Sequence, residues 1–323
     1  MLVKRIWKHI PSFLKQPIYI LKGYLERGKV IYRAITPYNL IEVIDKNGIR
    51  YLVFKDPNQP MYRQRPEVTY QSYMVINDPL NTNATYADYF QLALIFNPQI
   101  ITVLMVGLGG GIVPKRFLND YPEMRFISIE VDSEVVKVAH QYFHLKQSSR
   151  HRILVGDGRK YIQRTKETFD LILLDAFFAT TVPYHLFTIE FYQEVNGCLN
   201  PNGLLGINIY GALTGSNSYL FRSLYQTLAF VFPRLYLFAA KKSTPEVMQN
   251  IFIFALQKDM DMTPEDIFKR AQILSQTKVS IPGYVEKAQK LYQEPIDVTD
   301  VPILSDQNSP VNGELNLYSK VVM

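Results

Sequence analysis

The chain has 323 residues, enough for a main domain and a smaller one, and its 47% hydrophobic and 20% charged residues are ordinary proportions for a globular protein. No apolar run approaches the length of a membrane span, and the single cysteine, Cys198, cannot form an internal disulfide. The net charge of +6 is lopsided: residues 1–33 hold eight Lys and Arg and one acid, so the rest is near neutral and gives no reason to expect nucleic-acid binding.

Residues 1–33 interleave Lys4, Arg5, Lys8, Lys15, Lys22, Arg27, Lys29 and Arg33 with Ile6, Trp7, Ile10, Phe13, Leu14, Ile18, Leu21 and Leu25. Pro11 and Pro17 break or kink any helix there. Two readings stay open. The segment is a basic amphipathic arm touching an anionic membrane surface or a partner, or it packs on its own protein or a dimer mate. Charges and prolines interrupt the apolar run of a secretory signal, so a cytoplasmic protein is expected. Cys198, at a helix end before Leu-Asn-Pro-Asn-Gly203, is expected to be a small buried residue in a reducing compartment.

Residues 34–85 read as a small β domain. Segments 40–44 and 51–54 are strands joined by Asp45-Lys-Asn-Gly48, whose Asn-Gly favours a tight turn. Segment 71–76 is another strand. Residues 86–96 have helical spacing and stop before Asn97-Pro98. A main domain is expected over 86–260, followed by a helical extension and loop over 261–323.

At the start of the main domain, five strand-type residues, Thr102 to Val106, run into Gly107, Gly109 and Gly111, and a helical pattern over 113–118 follows. Glycines let the backbone approach a ligand, and a helix N-terminus offers free N–H groups. Glu130 ends a second strand over 125–130; an acid about 20 residues past such a loop grips a ribose diol. A dinucleotide fingerprint needs a small residue where Ile112 stands. The spacing Gly107, Gly109, Gly111 is instead that of class I S-adenosylmethionine (SAM) enzymes. Gly156-Asp157-Gly158 follows a third strand over 152–155, and 170–175 is a fourth, ending in Asp175. Four β-α units with polar residues at the strands' carboxyl ends make one crevice. The expected fold is α/β: a Rossmann-like class I SAM-methyltransferase fold, doubly wound around a mostly parallel sheet, behind a small N-terminal β-hairpin domain.

Ser133 is expected to cap the helix after Glu130. His140 and His144 stand four apart on that helix, a spacing that can bind metal, but no Cys or third His gathers nearby and no metal site is expected. Segments 187–199 and 219–232 read as helices, and 203–209, 235–239 and 251–256 as strands. Thr263-Pro-Glu-Asp266 starts a helix with Pro at its first position. Segments 267–274 and 285–292 are expected helices, and 301–310 a loop.

Val106-Gly-Leu-Gly-Gly-Gly111, Ile129-Glu-Val-Asp132, Val155-Gly-Asp-Gly158, Leu173-Leu-Asp-Ala-Phe177 and Leu186-Phe-Thr-Ile-Glu-Phe-Tyr192, taken as an ordered set, resemble the spermidine synthase family. They are closest to its spermidine-synthase-like branch, as is the loop Leu304-Ser-Asp-Gln-Asn-Ser-Pro310. The resemblance covers roughly residues 36–256 plus that loop. It implies transfer of an aminopropyl group from decarboxylated SAM to a diamine in polyamine biosynthesis, the donor being a co-substrate and not a tightly held cofactor. By the same resemblance Glu130 holds the ribose hydroxyls, with Gly107, Gly109, Gly111 and Gly158 lining the donor site. Asp157 binds the adenine amino group, Asp175 orients and deprotonates the amine, and Tyr86 is an active-site tyrosine. The implied partner is a small-molecule amine, with a homodimer possible and no nucleic acid.

Two positions depart from the family pattern. Gly110 stands where an acid helps to hold the donor's amino group and repels the carboxylate of intact SAM. Phe178 stands where a second acid serves the far ammonium of a diamine, which needs a carboxylate when it leaves water. Asp88, Asp132 and Asp306 are candidates to supply that charge. Methyl transfer from SAM is therefore a competing expectation, and a non-catalytic SAM-binding protein a third.

Overall fold

The dipeptide Asn47-Gly48 sets the N-terminal sheet. Both residues have positive φ, 53° and 77°, the geometry of a two-residue hairpin. It joins β2 (Leu40–Lys46) to β3 (Ile49–Lys55), which pair antiparallel from Leu40↔Lys55 to Lys46↔Ile49. With β1 (Lys29–Ile35) and β4 (Tyr70–Val75) they form a four-stranded sheet in sequence order. A computed structural model describes residues 28–57, 70–81, 86–176, 181–241, 243–308 and 314–316. Most of the basic arm, and Phe177 and Phe178, lie outside these residues. The last part of the stretch read as the arm is strand: β1 starts at Lys29, and Arg33 joins Lys55 in pairing with the buried Glu42.

Parallel strands need long crossovers, and the main sheet supplies them. β5 (Thr102–Val106), β6 (Arg125–Glu130), β7 (His151–Val155), β8 (Phe169–Leu174) and β10 (Leu199–Gly211) run parallel. The crossovers are α3 (Ile112–Asp120), α4 (Ser133–Tyr142), α5 (Gly158–Arg164) and α6 (Ile189–Gly197). α7 (Tyr219–Val231) leads to β11 (Arg234–Ala239) and β12 (Gln249–Leu256), which close the sheet antiparallel. With β13 (Leu291–Tyr292) at the edge, the order is β13-β11-β12-β10-β8-β5-β6-β7.

Period-two alternation divides the core. Val103, Met105, Leu171, Leu173, Phe252 and Phe254 face one way and share a hydrophobic cluster with Ile41, Val43, Leu52 and Met74 of the N-terminal sheet. Leu104, Val106, Ile172, Leu174 and Ile253 face the other way, toward Phe191 and Val195 of α6 and Leu224 and Leu228 of α7. The N-terminal sheet therefore packs on the main domain, and it reaches over the carboxyl ends of the parallel strands.

Several local features differ from the sequence reading. The helix expected over 86–96 is two, α1 (Tyr86–Phe90) and α2 (Ala93–Phe96). At Gln91 and Leu92 the backbone switches to i→i+3 bonds, and the buried Gln91 is held from outside: Tyr284 donates to its carbonyl beside the Leu94 N–H, Tyr121 to its Oε1, and its Nε2 bonds Asp120. Asp132, not Ser133, caps α4, its side chain accepting from the Glu134 N–H. α4 ends at Tyr142, so His144 lies past it with φ 56°, while His140 Nδ1 contacts the Leu145 carbonyl. Among the described residues no three His, Cys, Asp or Glu side chains gather as metal ligands would. Thr263 forms the capping box of α8 (Pro264–Thr277), but the helix expected over 285–292 stops as α9 (Tyr284–Ala288), and its last residues pair with β11 as β13. Cys198 is half-buried at the C-terminus of α6.

The C-terminal loop is tied down where it crosses α6. Leu304 is buried, Ile189 N–H donates to its carbonyl at 2.8 Å, and both Asp306 oxygens accept from Arg159 at 2.7 Å. β14 (Glu314–Asn316) pairs with β9 (Thr181–Pro183), the strand just before His185.

Candidate active site

A cavity of about 650 Å³ opens at the carboxyl ends of β5, β6, β8 and β10, where ligands bind in open α/β sheets. Its floor is Gly107, Gly109, Glu130, Gly156, Asp157, Gly158 and Asp175; Asn39, Phe54, Gln71 and Ser72 of the N-terminal sheet and Tyr86 of α1 form its roof. Asn208 and Tyr210 of β10 close one side. The sequence-derived residues thus converge, with one exception. Gly111 stands behind the loop as the N-cap of α3, where an added Cβ would lie 2.7 Å from Leu145.

Close approach explains Gly107. It has φ 93°, and a Cβ there would lie 2.3 Å from the Asp175 carbonyl oxygen. Only glycine lets the β5 turn come so near the end of β8, and this sets Asp175 beside the loop.

The carboxylates differ in their partners. Glu130, 8% exposed, accepts the Leu108 N–H at 2.9 Å on Oε2 and the Asp132 N–H at 3.0 Å on Oε1. Burial raises its pKa, and these N–H groups oppose the rise. Each oxygen keeps capacity for a ligand hydroxyl. Asp157 caps α5 through the Lys160 N–H and meets His185 Nε2 at 3.1 Å. The His185 contact leads in holding its pKa down to about 2, with help from the cap. Asp175 follows the last residue of β8, and burial pushes its carboxyl up to about 6 against the opposing hydrogen bond that Asn208 Nδ2 donates at 3.1 Å. The Tyr86 hydroxyl meets Ser72 Oγ at 3.1 Å, and burial followed by the Asp175 charge raises its pKa.

The candidates for an extra acceptor charge are all committed elsewhere. Asp88 is buried 3.7 Å from Lys287. Asp132 caps α4 and accepts from Thr36 at 2.6 Å. Asp306 pairs with Arg159. Among the described residues, the carboxylates lining the cavity are Glu130, Asp157 and Asp175. At Gly110 the N–H donates to Ser72 Oγ at 2.9 Å, and an added Cβ would lie 3.0 Å from both Ser72 and the Phe143 ring. An acid at that position needs both neighbours to yield.

Sequence reasoning missed Asn39, Gln71, Ser72, His185, Asn208, Tyr210 and Asn250, which also line the cavity. Asn208 left one signal, a polar residue within the apolar run of β10. Ser72 left none, since a serine on a half-buried strand is common.

Residues 88–267 match the family model of the spermine/spermidine synthase domain. The polyamine aminopropyltransferase of Vibrio vulnificus (strain CMCP6) is 31% identical over 223 residues, 68% of this chain and 71% of that protein. The polyamine aminopropyltransferase of Thermococcus kodakarensis is 27% identical over 296 residues, 82% of this chain and 93% of that one. The crystal structure of a probable spermidine synthase from Corynebacterium glutamicum superposes with a TM-score of 0.62 at 16% identity, covering 85% of this chain and all of that one, which speaks to fold alone. With a family model spanning more than half of its length and a relative at this identity, the chain belongs to the spermine/spermidine synthase family.

Proposed function

We propose that this protein is a transferase that moves an aminopropyl group from decarboxylated SAM to a diamine in polyamine biosynthesis. The observation that carries the reading is the convergence of Glu130, Asp157 and Asp175 on one cavity in a chain of this family. Glu130 takes the ribose hydroxyls and Asp157 the adenine amino group. The amine sits at Asp175, which takes its excess proton. The nitrogen lone pair then forms the new C–N bond, the C–S bond breaks with its electrons going to sulfur, and the sulfonium becomes the neutral thioether methylthioadenosine. A base with a pKa near 6 suits this work, ionised at neutral pH yet close enough to accept a proton. Tyr86, neutral throughout, lines the same cavity. The reading places the reaction in the cytoplasm, in keeping with one free cysteine; among the described residues no helix is long and apolar enough to cross a membrane.

Methyl transfer from intact SAM is the second reading, favoured by Gly110, where the loop carries no carboxylate to repel the donor's own. Product analysis separates the two. Incubation with each donor and 1,4-diaminobutane is expected to give methylthioadenosine from decarboxylated SAM. S-adenosylhomocysteine from SAM, with no methylthioadenosine, would reverse the assignment.

A further inference from the structure

One carboxylate of the cavity has a ring nitrogen beside it. His185 lines the cavity with Asp157, and its Nε2 stands 3.1 Å from Oδ2 of that acid. The two side chains are 44% and 28% exposed, so both are within reach of a molecule in the cavity. Oδ1 of Asp157 takes the Lys160 N–H at 3.0 Å. The carboxyl group stays ionised down to about pH 2 and so presents acceptors only. An Nε2 that faces a carboxylate oxygen carries its proton, in the neutral ring or the charged one, because a bare lone pair there would meet another. The main chain holds this arrangement. His185 sits in a short 3-10 turn, Tyr184–Leu186, between two buried neighbours, and its carbonyl accepts from Nη1 of Arg159 at 3.1 Å. Arg159 follows Asp157 by two residues on α5, so acid and ring are tied through main chain as well as side chain.

We infer that His185 is a specificity-determining residue that reads the purine edge of the donor together with Asp157. Asp157 accepts from the adenine 6-amino group, and the Nε2–H of His185 donates to N7. Adenine shows an amino donor and the N7 acceptor side by side, and an amide side chain takes both at once because it pairs an acceptor with a donor. Asp157 and His185 offer the same pattern from two side chains. On binding, the N–H directed at Oδ2 turns toward N7, and the 6-amino group takes its place on the carboxylate. A 6-oxopurine would set a carbonyl oxygen against that carboxylate and is rejected. The inference rests on the assignment of Asp157 to the adenine amino group. It holds whichever group the donor transfers, because both readings share the purine.

The test is calorimetry on the full chain with two ligands, methylthioadenosine and its 7-deaza analogue, which keeps the 6-amino group and replaces N7 with C–H. The parent is expected to bind methylthioadenosine about 3–10-fold more tightly than the analogue, the range for one hydrogen bond. His185→Leu should lose that preference. Its affinity for methylthioadenosine falls by the same factor, and its affinity for the analogue stays within about twofold of the parent. Asp157→Asn, which removes the charge under the amino group, should weaken both ligands. A His185 that only holds Asp157 in place gives a different result, since losing the ring would then weaken both ligands equally. Equal affinities of the two ligands for the parent, a preference for N7 that survives in His185→Leu, or an equal loss for both ligands in that variant each overturns the inference. Failure of the donor-site assignment has its own signature. Methylthioadenosine then does not bind the parent, or binds Asp157→Asn as tightly as the parent, and the inference falls with it. The comparison of two ligands on the parent needs no variant, so it stands even where a substitution unfolds the chain.

Discussion

The two ends of the cavity hold their carboxylates in different ways. On the donor side, Glu130 accepts two backbone N–H groups, and Asp157 caps a helix and meets His185. Both are supplied by contiguous β-α units, and the backbone just after β5, β6 and β7 provides their N–H donors, with His185 added from beyond β9. On the acceptor side, Asp175 has Asn208 as its donor, and burial lifts it to about 6. Its surroundings come from distant parts of the chain: Tyr86 of α1, Ser72 of β4 and Asn208 of β10. The contrast teaches that one fold can pin one set of acids for binding with backbone N–H groups and a helix cap, and leave another with a single side-chain donor and ready for a proton.

The largest expected effect breaks the acceptor side alone. Asp175→Asn should cut turnover by about 10²–10⁴ while methylthioadenosine affinity, read by calorimetry, stays within about threefold. Turnover within about threefold of the parent would remove Asp175 from the base role. Glu130→Ala should do the reverse, weakening adenosyl binding by about 1.5–3 kcal/mol, the range for hydrogen bonds to a charged group. Unchanged affinity in a folded Glu130→Ala protein would mean that the ribose lies elsewhere.

A stability measurement sharpens the same contrast. The folded-state pKa of Asp175 lies above its ordinary 3.8, at about 6, so ionising it costs the folded protein. That cost is full above pH 6 and absent below about 4. Asp175→Asn should therefore stabilise the ligand-free protein by about 1–3 kcal/mol at pH 8, with the gain fading toward pH 4. Urea midpoints at both pH values are the check, and a gain that grows as pH falls would contradict the assignment. Asp306→Asn, which weakens the half-exposed contact to Arg159, should cost about 1 kcal/mol and speed amide exchange in β9 without changing adenosyl affinity.

The smallest effect concerns the arm. Gly107, Glu130 and Asp157 come from the β-α units after Thr102, so deleting 1–27 should leave adenosyl binding intact. Sedimentation with anionic vesicles at two salt concentrations tests the arm's membrane reading. Full-length protein that ignores such vesicles at low salt would end it.

Local periodicity made most of the fold legible. The strand over 125–130 and the helix start at Thr263 were readable because their signals lie within a few residues. The break between α1 and α2 was not, because the groups that hold the buried Gln91, Tyr121 on its side chain and Tyr284 sharing its carbonyl, lie 30 and 193 residues away. The site divides along the same line. Glu130, Asp157 and Asp175 announce themselves by standing at strand ends after apolar runs. Asn208 gains its role only when β10 pairs with β8, and Ser72 only when the N-terminal sheet folds over the glycine loop. Gly111 shares the spacing of the donor-site glycines, and spacing alone cannot tell which glycine faces the cavity and which backs onto Leu145.

The central claim is that a donor-binding set of pinned carboxylates serves one poised base in aminopropyl transfer. Its most direct test is the pH dependence of methylthioadenosine formation from decarboxylated SAM and 1,4-diaminobutane, taken as kcat/KM for the amine between pH 5 and 9. The account expects product, with activity falling below about pH 6 as Asp175 takes a proton, and that limb absent from the residual rate of Asp175→Asn. Product formed at an undiminished rate at pH 5, or the same acid limb in Asp175→Asn, would contradict it.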